Sequence, residues 1–216
     1  MSELCPPPLY AIADVETLGY ERVVSAVGTM AASGVEWIQI RAKRTPDKAL
    51  YALVEQCLEQ VASSPPPGVR LWIDDRADIA AMLPAAGAHV GQLDLPPAAV
   101  RPVVGNHKLI GSSTHDLAQA IAAEADPAVD VVALGPIFPT ASKENPDPVV
   151  GLDQLTQVRQ RVRKPLVAIG GINASNIGQV LDAGADTAAV LGAVCHGDIA
   201  ANCERLLTAA SAGAVL

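Results

Sequence analysis

Eight short runs of apolar and β-branched residues punctuate the chain: LYAIA from residue 9, VEWIQIR from 35, VRLWID from 69, AHVG from 88, KLIGSS from 108, VDVVALG from 129, PLVAIG from 165 and TAAVLG from 187. Each has the length and composition of a buried strand. Between them the apolar positions recur at helical spacing, as in YERVVSAVGTMAASG, DKALYALVEQCLEQVA, HDLAQAIAAEA, LDQLTQVRQRV and ASNIGQVLDAGA, and several of these segments end at a glycine suited to a helix C-cap. Strand and helix therefore alternate. Strands linked through helices need right-handed crossovers and make a parallel sheet, and eight evenly spaced units in 216 residues predict an α/β fold, a single (β/α)8 TIM barrel forming one domain over residues 1–216. An open doubly wound sheet is the alternative, but no G-x-G-x-x-G follows the first run. The cluster ASSPPPGVR lies between a helix and the third strand and reads as a loop within the barrel.

Composition supports this picture. Half of the residues are hydrophobic and 3% aromatic, so the core is built mainly from Ala, Val, Leu and Ile. A formal charge of −8 without a basic run argues against nucleic acid and against an anionic membrane surface, yet leaves room for a small anionic substrate at a locally cationic or metal-bearing site. Cys5, Cys57, Cys195 and Cys203 lack metal-binding spacing and read as reduced thiols. The first residues, MSELCPPPLYAIAD, resemble no export signal, and the apolar runs are too short to span a membrane, which predicts a cytoplasmic protein. A homo-oligomer is left open.

In such a barrel the chemistry gathers at the C-terminal ends of the strands. Strand two ends in QIRAK, and alternation along an extended chain puts Gln39, Arg41 and Lys43 on one side, so that two cations converge and call for an anion. Strand three ends at Asp74 and Asp75, strand four in GQLD with Asp94, strand five in GSSTH. Asp75 and Asp94 leave two readings open: a Mg²⁺ site completed by phosphate oxygens and water, or helix N-caps. Arg76 could also engage Asp75 in a local ion pair. The small residues of AIGG and LG after strands seven and eight would let backbone N–H groups approach a phosphate. LGPIFPTASKENPDPVVGLDQL, opening after strand six, carries Thr140, Ser142 and Lys143 on a segment restrained by Pro136 and Pro139, a composition suited to binding phosphate. Of the histidines, His115 suggests a helix start, and His89, His107 and His196 show no evident partners.

IQIRAK, IDDRADIA, GAHVGQLDLP, IGSSTHD, GPIFPTASK and VAIGGI, in this order, make the chain resemble the thiamine-phosphate synthase (thiamine-phosphate pyrophosphorylase) family over nearly its whole length. The resemblance implies a transferase that joins hydroxymethylpyrimidine diphosphate to hydroxyethylthiazole phosphate, gives thiamine monophosphate and releases pyrophosphate by a dissociative, Mg²⁺-assisted route. It further implies that Gln39, Ile40, Arg41, Ala42, Lys43 and Lys143 hold the pyrimidine diphosphate, Asp75 and Asp94 the Mg²⁺, and Ser113 the diphosphate or the pyrimidine. Thr140, Ala141, Ser142, Gly171, Leu191 and Gly192 would surround the thiazole phosphate. Arg41, Lys43, Lys143 and Ser113 are the implied catalytic groups.

Three positions depart from the family pattern: Asp74 stands where Asn is usual, Ala42 where Glu is usual, and Gly192 in place of a Ser. Asp74 is the least comfortable, because a carboxylate repels a diphosphate unless Mg²⁺ or a proton intervenes. A related thiazole tautomerase would place a His after the strand-six Gly, where this chain has Pro136, and a noncatalytic phosphate-ligand binder would bind both substrates without releasing pyrophosphate.

Overall fold

A computed structural model describes residues 4–63, 68–140 and 147–212. Eight parallel strands close into a barrel in sequence order: β1 (Leu9–Asp14), β2 (Trp37–Arg41), β3 (Arg70–Asp74), β4 (Gly87–Val90), β5 (Leu109–Thr114), β6 (Val131–Leu134), β7 (Leu166–Ile169) and β8 (Thr187–Val190), the last pairing with the first. Around them run α1 (Val15–Leu18), α2 (Tyr20–Ala32), α3 (Asp47–Ala62), α4 (Ala77–Met82), α5 (Pro97–Val104), α6 (Leu117–Ala125), α7 (Gly151–Arg159), α8 (Ile177–Asp182), α9 (Gly192–Cys195) and α10 (Ile199–Ala212). Each predicted run lies on a strand, and the alternation predicted from the sequence holds. Among the described residues no helix is long and apolar enough to cross a membrane.

The two-residue period of the strands sorts their side chains into two cores. Leu9, Ala11, Ala13, Ile38, Ile40, Leu71, Ile73, Val132 and Leu134 face outward and pack with the helices. Tyr10, Ile12, Trp37, Trp72, Val131, Ala133, Val167 and Ala189 face inward and fill the barrel. Tyr10, Trp37 and Trp72 form its aromatic floor, with ring centroids 5.1–5.9 Å apart, so three of the six aromatic residues plug the lumen. The same period carries the inward rows upward from apolar to polar: Tyr10 to Ile12 to Asp14, Trp37 to Gln39 to Arg41, and Trp72 to Asp74.

Helix α2 stops where the N–H of Gly34 (φ 90°) bonds the carbonyl of Ala31 and that of Val35 the carbonyl of Met30, a Schellman closure that only glycine adopts without strain. The cysteines are free: Cys5 is exposed, and burial pushes the thiol of Cys57 up to about 12 and those of Cys195 and Cys203 up to about 11, which leaves them unreactive.

Candidate active site

At the C-terminal end of the barrel a cavity of about 920 Å³ gathers Gln39, Arg41 and Lys43 from β2 and its loop, as alternation predicted. Gln39, 4% exposed, donates from Nε2 to the Tyr10 hydroxyl at 3.0 Å. Both cations already have carboxylate partners. Arg41 Nη1 lies 2.5 Å from Asp14 Oδ1, and Lys43 Nζ lies 2.9 Å from Asp74 Oδ2 and bonds Asp75 Oδ2. Partial burial opposes the charge on Lys43, but Asp74 and Asp75 outweigh it and hold the ammonium above its usual range. Ile40 and Ala42 pack toward the helix layer, so their side chains stay out of the cavity.

The aspartates are the unusual part of the site. Asp74 is largely buried, and burial raises its carboxyl even though Lys43 and Arg41 pull it down. Its Oδ2 sits within ion-pair distance of Lys43 without a well-directed hydrogen bond. The neighbours that offset this extra charge are thus Arg41 at the end of β2 and Lys43 in the loop after it. Asp75 is raised to about 6, first by burial and then by the charges of Asp74 and Asp94. It also has φ 60°, the left-handed region, at a backbone cost of about 1–3 kcal/mol. The Arg76 N–H closes the tight turn onto the Asp74 carbonyl, and the Asp75 N–H bonds the His89 carbonyl across to β4.

Both modest alternatives for these aspartates can now be set aside. Arg76 turns outward to Asp47 (2.7 Å) and Asp78 (2.6 Å), so it does not pair with Asp75. Neither aspartate caps a helix: the N-cap positions of α4 and α5 are Arg76 and Pro96, and Asp94 instead accepts the Gly91 N–H at 2.7 Å. No group of three or more His, Cys, Asp or Glu side chains among the described residues could hold a metal unaided. Asp75 and Asp94, hard oxygen donors close enough for the charge of Asp94 to help raise Asp75, fit Mg²⁺, which keeps several water or phosphate ligands.

Ser113 lines the same cavity. Its hydroxyl is 2.9 Å from His89 Nε2, and its carbonyl accepts from Gln92 Nε2 at 2.5 Å. His89 therefore has a partner that the sequence did not reveal. The ring fits because Gly111, opposite it in register, has no Cβ; one would stand 2.3 Å from Nδ1. His115 does precede a helix, whose N-cap is Asp116, but its side chain turns into the cavity. Its Nδ1 is 2.6 Å from the Gly135 carbonyl, an acceptor, so Nδ1 carries the proton, and Nε2 is 3.5 Å from Asp147. The signal for it was its two-residue step from Ser113.

On the far side, the segment after β6 extends the pairing with β7: Ile137 and Phe138 donate to Ile169 and Gly170, and Val150 donates back to Pro136 at 2.8 Å, tying the loop's ends together. A Cβ on Gly171 (φ 65°) would lie 2.6 Å from the Pro139 carbonyl, so this turn requires glycine, whereas Gly192 has open space where a Cβ would be. Thr140, Gly171, Leu191 and Gly192 line the cavity. Ala141, Ser142 and Lys143 lie outside the described residues.

Residues 9–194 match the family model described as thiamine monophosphate synthase. The chain is 43% identical over 189 residues to a thiamine-phosphate synthase of Koribacter versatilis, covering 86% of this chain and 87% of the relative. It is 40% identical over 200 residues to one of Methanoculleus marisnigri, covering 92% of each. The solved thiamine phosphate pyrophosphorylase of Pyrococcus furiosus superposes with a TM-score of 0.84 at 29% identity, covering 95% of this chain and 96% of that one. On this agreement of barrel, strand-end chemistry and sequence, the chain belongs to the thiamine monophosphate synthase family.

Proposed function

We propose that the protein joins hydroxymethylpyrimidine diphosphate to hydroxyethylthiazole phosphate, forming thiamine monophosphate and pyrophosphate. One observation carries the reading: a single cavity holds a cation pair beside a carboxylate group on one side and the Gly171 and Gly192 turns on the other. That is room for two phosphorylated partners with their reacting ends between them.

In this reading the bond from the pyrimidine methylene to the diphosphate oxygen breaks first, and its electron pair leaves with pyrophosphate. The thiazole nitrogen then supplies its lone pair to the cationic methylene, closing the new C–N bond, and no proton need be removed. Arg41 and Lys43 meet charge that grows on the departing oxygens, so they favour the transition state over the ground state. Lys143 is assigned to the same task. Ser113, fixed by His89 and Gln92, orients the pyrimidine diphosphate. Ile12, Ala133, Val167, Ile169 and Ala189 give the same cavity an apolar lining. Mg²⁺ held by Asp75 and Asp94 would supply further positive charge to the phosphate oxygens.

The site needs such a cation for an electrostatic reason. Among the described residues, Asp14, Glu16, Asp74 and Asp75 stand around Arg41 and Lys43, and Asp94 adds its charge to Asp75, five carboxylates against two cations. A diphosphate would be repelled by that excess unless positive charge entered with it. The test is pyrophosphate release with both substrates, with and without Mg²⁺. Release that requires both substrates and Mg²⁺ is expected; binding of both substrates without release would make the protein a binder and overturn the reading.

A further inference from the structure

Asp14, the last residue of β1, counts above only as one of the carboxylates around Arg41. It is 3% exposed and stands beside Arg41 in the β1–β2 register. Its two oxygens do different work. Oδ2 accepts from the Thr17 N–H at 3.0 Å and the Thr17 hydroxyl at 2.7 Å, capping α1, while Oδ1 accepts from Arg41 Nη1 at 2.5 Å. Glu16 adds a second carboxylate 3.8 Å from the same nitrogen and is itself anchored by the Arg44 N–H. On the other edge of the guanidinium, Nε lies 3.8 Å from Asp74.

A planar guanidinium approached by fixed anions at Nη1 and Nε has its plane and its rotation set. If the site needed only positive field at Arg41, a carboxylate at 2.5 Å would be a poor neighbour, because it cancels most of that field. What it supplies is direction. We infer that Asp14 is a positioning residue for Arg41, anchoring the guanidinium from β1 and α1 so that its fork meets the diphosphate of the substrate; this rests on the function proposed above. Asparagine cannot take over, because donors face both oxygens and an amide has one accepting oxygen only. Its NH₂ would confront either the cap of α1 or the guanidinium.

The experiment uses the full chain as wild type, Asp14→Asn, Arg41→Ala and the double variant. Two quantities are read: KM for each substrate, and the Kd of inorganic pyrophosphate in the presence of Mg²⁺. Asp14→Asn is expected to raise the pyrimidine diphosphate KM and the pyrophosphate Kd by at least about tenfold, with the thiazole phosphate KM within about twofold. In the Arg41→Ala background the same change should add less than about twofold, because its effect runs through Arg41. Thr17→Val, which removes only the hydroxyl bond to Oδ2, should leave the pyrophosphate Kd unchanged. Equal cost of Asp14→Asn in both backgrounds, a parallel rise of both KM values, or an equal loss in Thr17→Val would overturn the inference. If Asp14→Asn does not fold, Arg41→Lys decides: it keeps the charge and loses the fork, so wild-type pyrophosphate affinity in that variant refutes positioning. Wild type that binds pyrophosphate without turnover would refute the proposed reaction alone and leave the binding cycle to judge Asp14. Wild type that binds no pyrophosphate refutes both.

Discussion

Arg101 and Arg159, near the N-terminal end of the barrel, and Arg41 and Lys43, at the C-terminal end, are all cations beside aspartates, yet they are treated in opposite ways. Arg101 donates to the carbonyls of Gly105, Lys108 and Ala128 and to Asp130, whose Oδ2 also accepts the Ile110 N–H of β5. Arg159 repeats the device two strands around the ring, donating to the carbonyls of Val162 and Lys164 and to Asp186, whose Oδ2 accepts the Leu166 N–H of β7. There a helix is stapled to the start of a strand and charge is matched one to one. At the other end carboxylates outnumber cations among the described residues, one has a poorly directed oxygen and one sits on a strained backbone. Balanced charge at one end serves the fold; unbalanced charge at the other is what a site for metal and phosphate requires.

Mutations at the two ends should have opposite consequences. Asp75→Ala and Asp94→Ala should each lower turnover by at least the roughly 10–100-fold that loss of a supporting group costs a metal site, with little change in thermal stability. Asp130→Asn should do the reverse. It leaves the Arg101 guanidinium poorly matched and should cost about 1–3 kcal/mol in urea unfolding while kcat stays within about twofold. Stability loss from Asp75→Ala equal to that from Asp130→Asn would erase the distinction.

Asp74→Asn sharpens the same contrast. The change removes one carboxylate from between Lys43 and Arg41, so activity should be kept or improved, most clearly at low Mg²⁺. A large rise in the Mg²⁺ concentration needed by this variant would instead make Asp74 a metal ligand. Acid stability supplies a finer probe. In the metal-free protein Asp75 keeps its proton up to about 6, whereas an unfolded aspartate releases it near ~3.9. Between those values the folded state binds more protons, so this group's contribution to stability is complete below ~3.9 and is lost as pH rises through about 6. Asp75→Asn should flatten that part of the stability profile of the metal-free protein, and an unchanged profile would count against the raised carboxyl.

The smallest effect is expected at the β8 turn. A side chain fits at Gly192 without a clash, so Gly192→Ser should fold normally and, by adding a hydroxyl donor, lower the thiazole phosphate KM by about two- to tenfold. An unchanged KM would place that phosphate elsewhere.

The barrel was legible in the sequence because its signal is periodic: α3, predicted over 47–62, spans Asp47–Ala62, where amphipathic spacing is unbroken. The ends of α6 and α7 shifted by up to three residues, since caps such as Asp116 are local hydrogen bonds that periodicity does not see. α1 and α9, four residues each, are too short to show a period. Within the site, strand alternation brought Gln39, Arg41 and Lys43 together correctly. It could not show which carboxylate each cation would meet, because that depends on side-chain reach across strands. Asp14, at the end of a first strand that looks wholly apolar, and His89, which needs Gly111 opposite it, emerged only from the register between strands.

Calorimetric binding of inorganic pyrophosphate in Mg²⁺ and in EDTA, for wild type and Asp75→Ala, tests most directly whether the acidic excess makes an anion site that only a divalent cation completes. Wild type is expected to bind in Mg²⁺ and not detectably in EDTA, and Asp75→Ala to lose the Mg²⁺-dependent binding. Equal pyrophosphate affinity with and without Mg²⁺ would contradict a site of that kind.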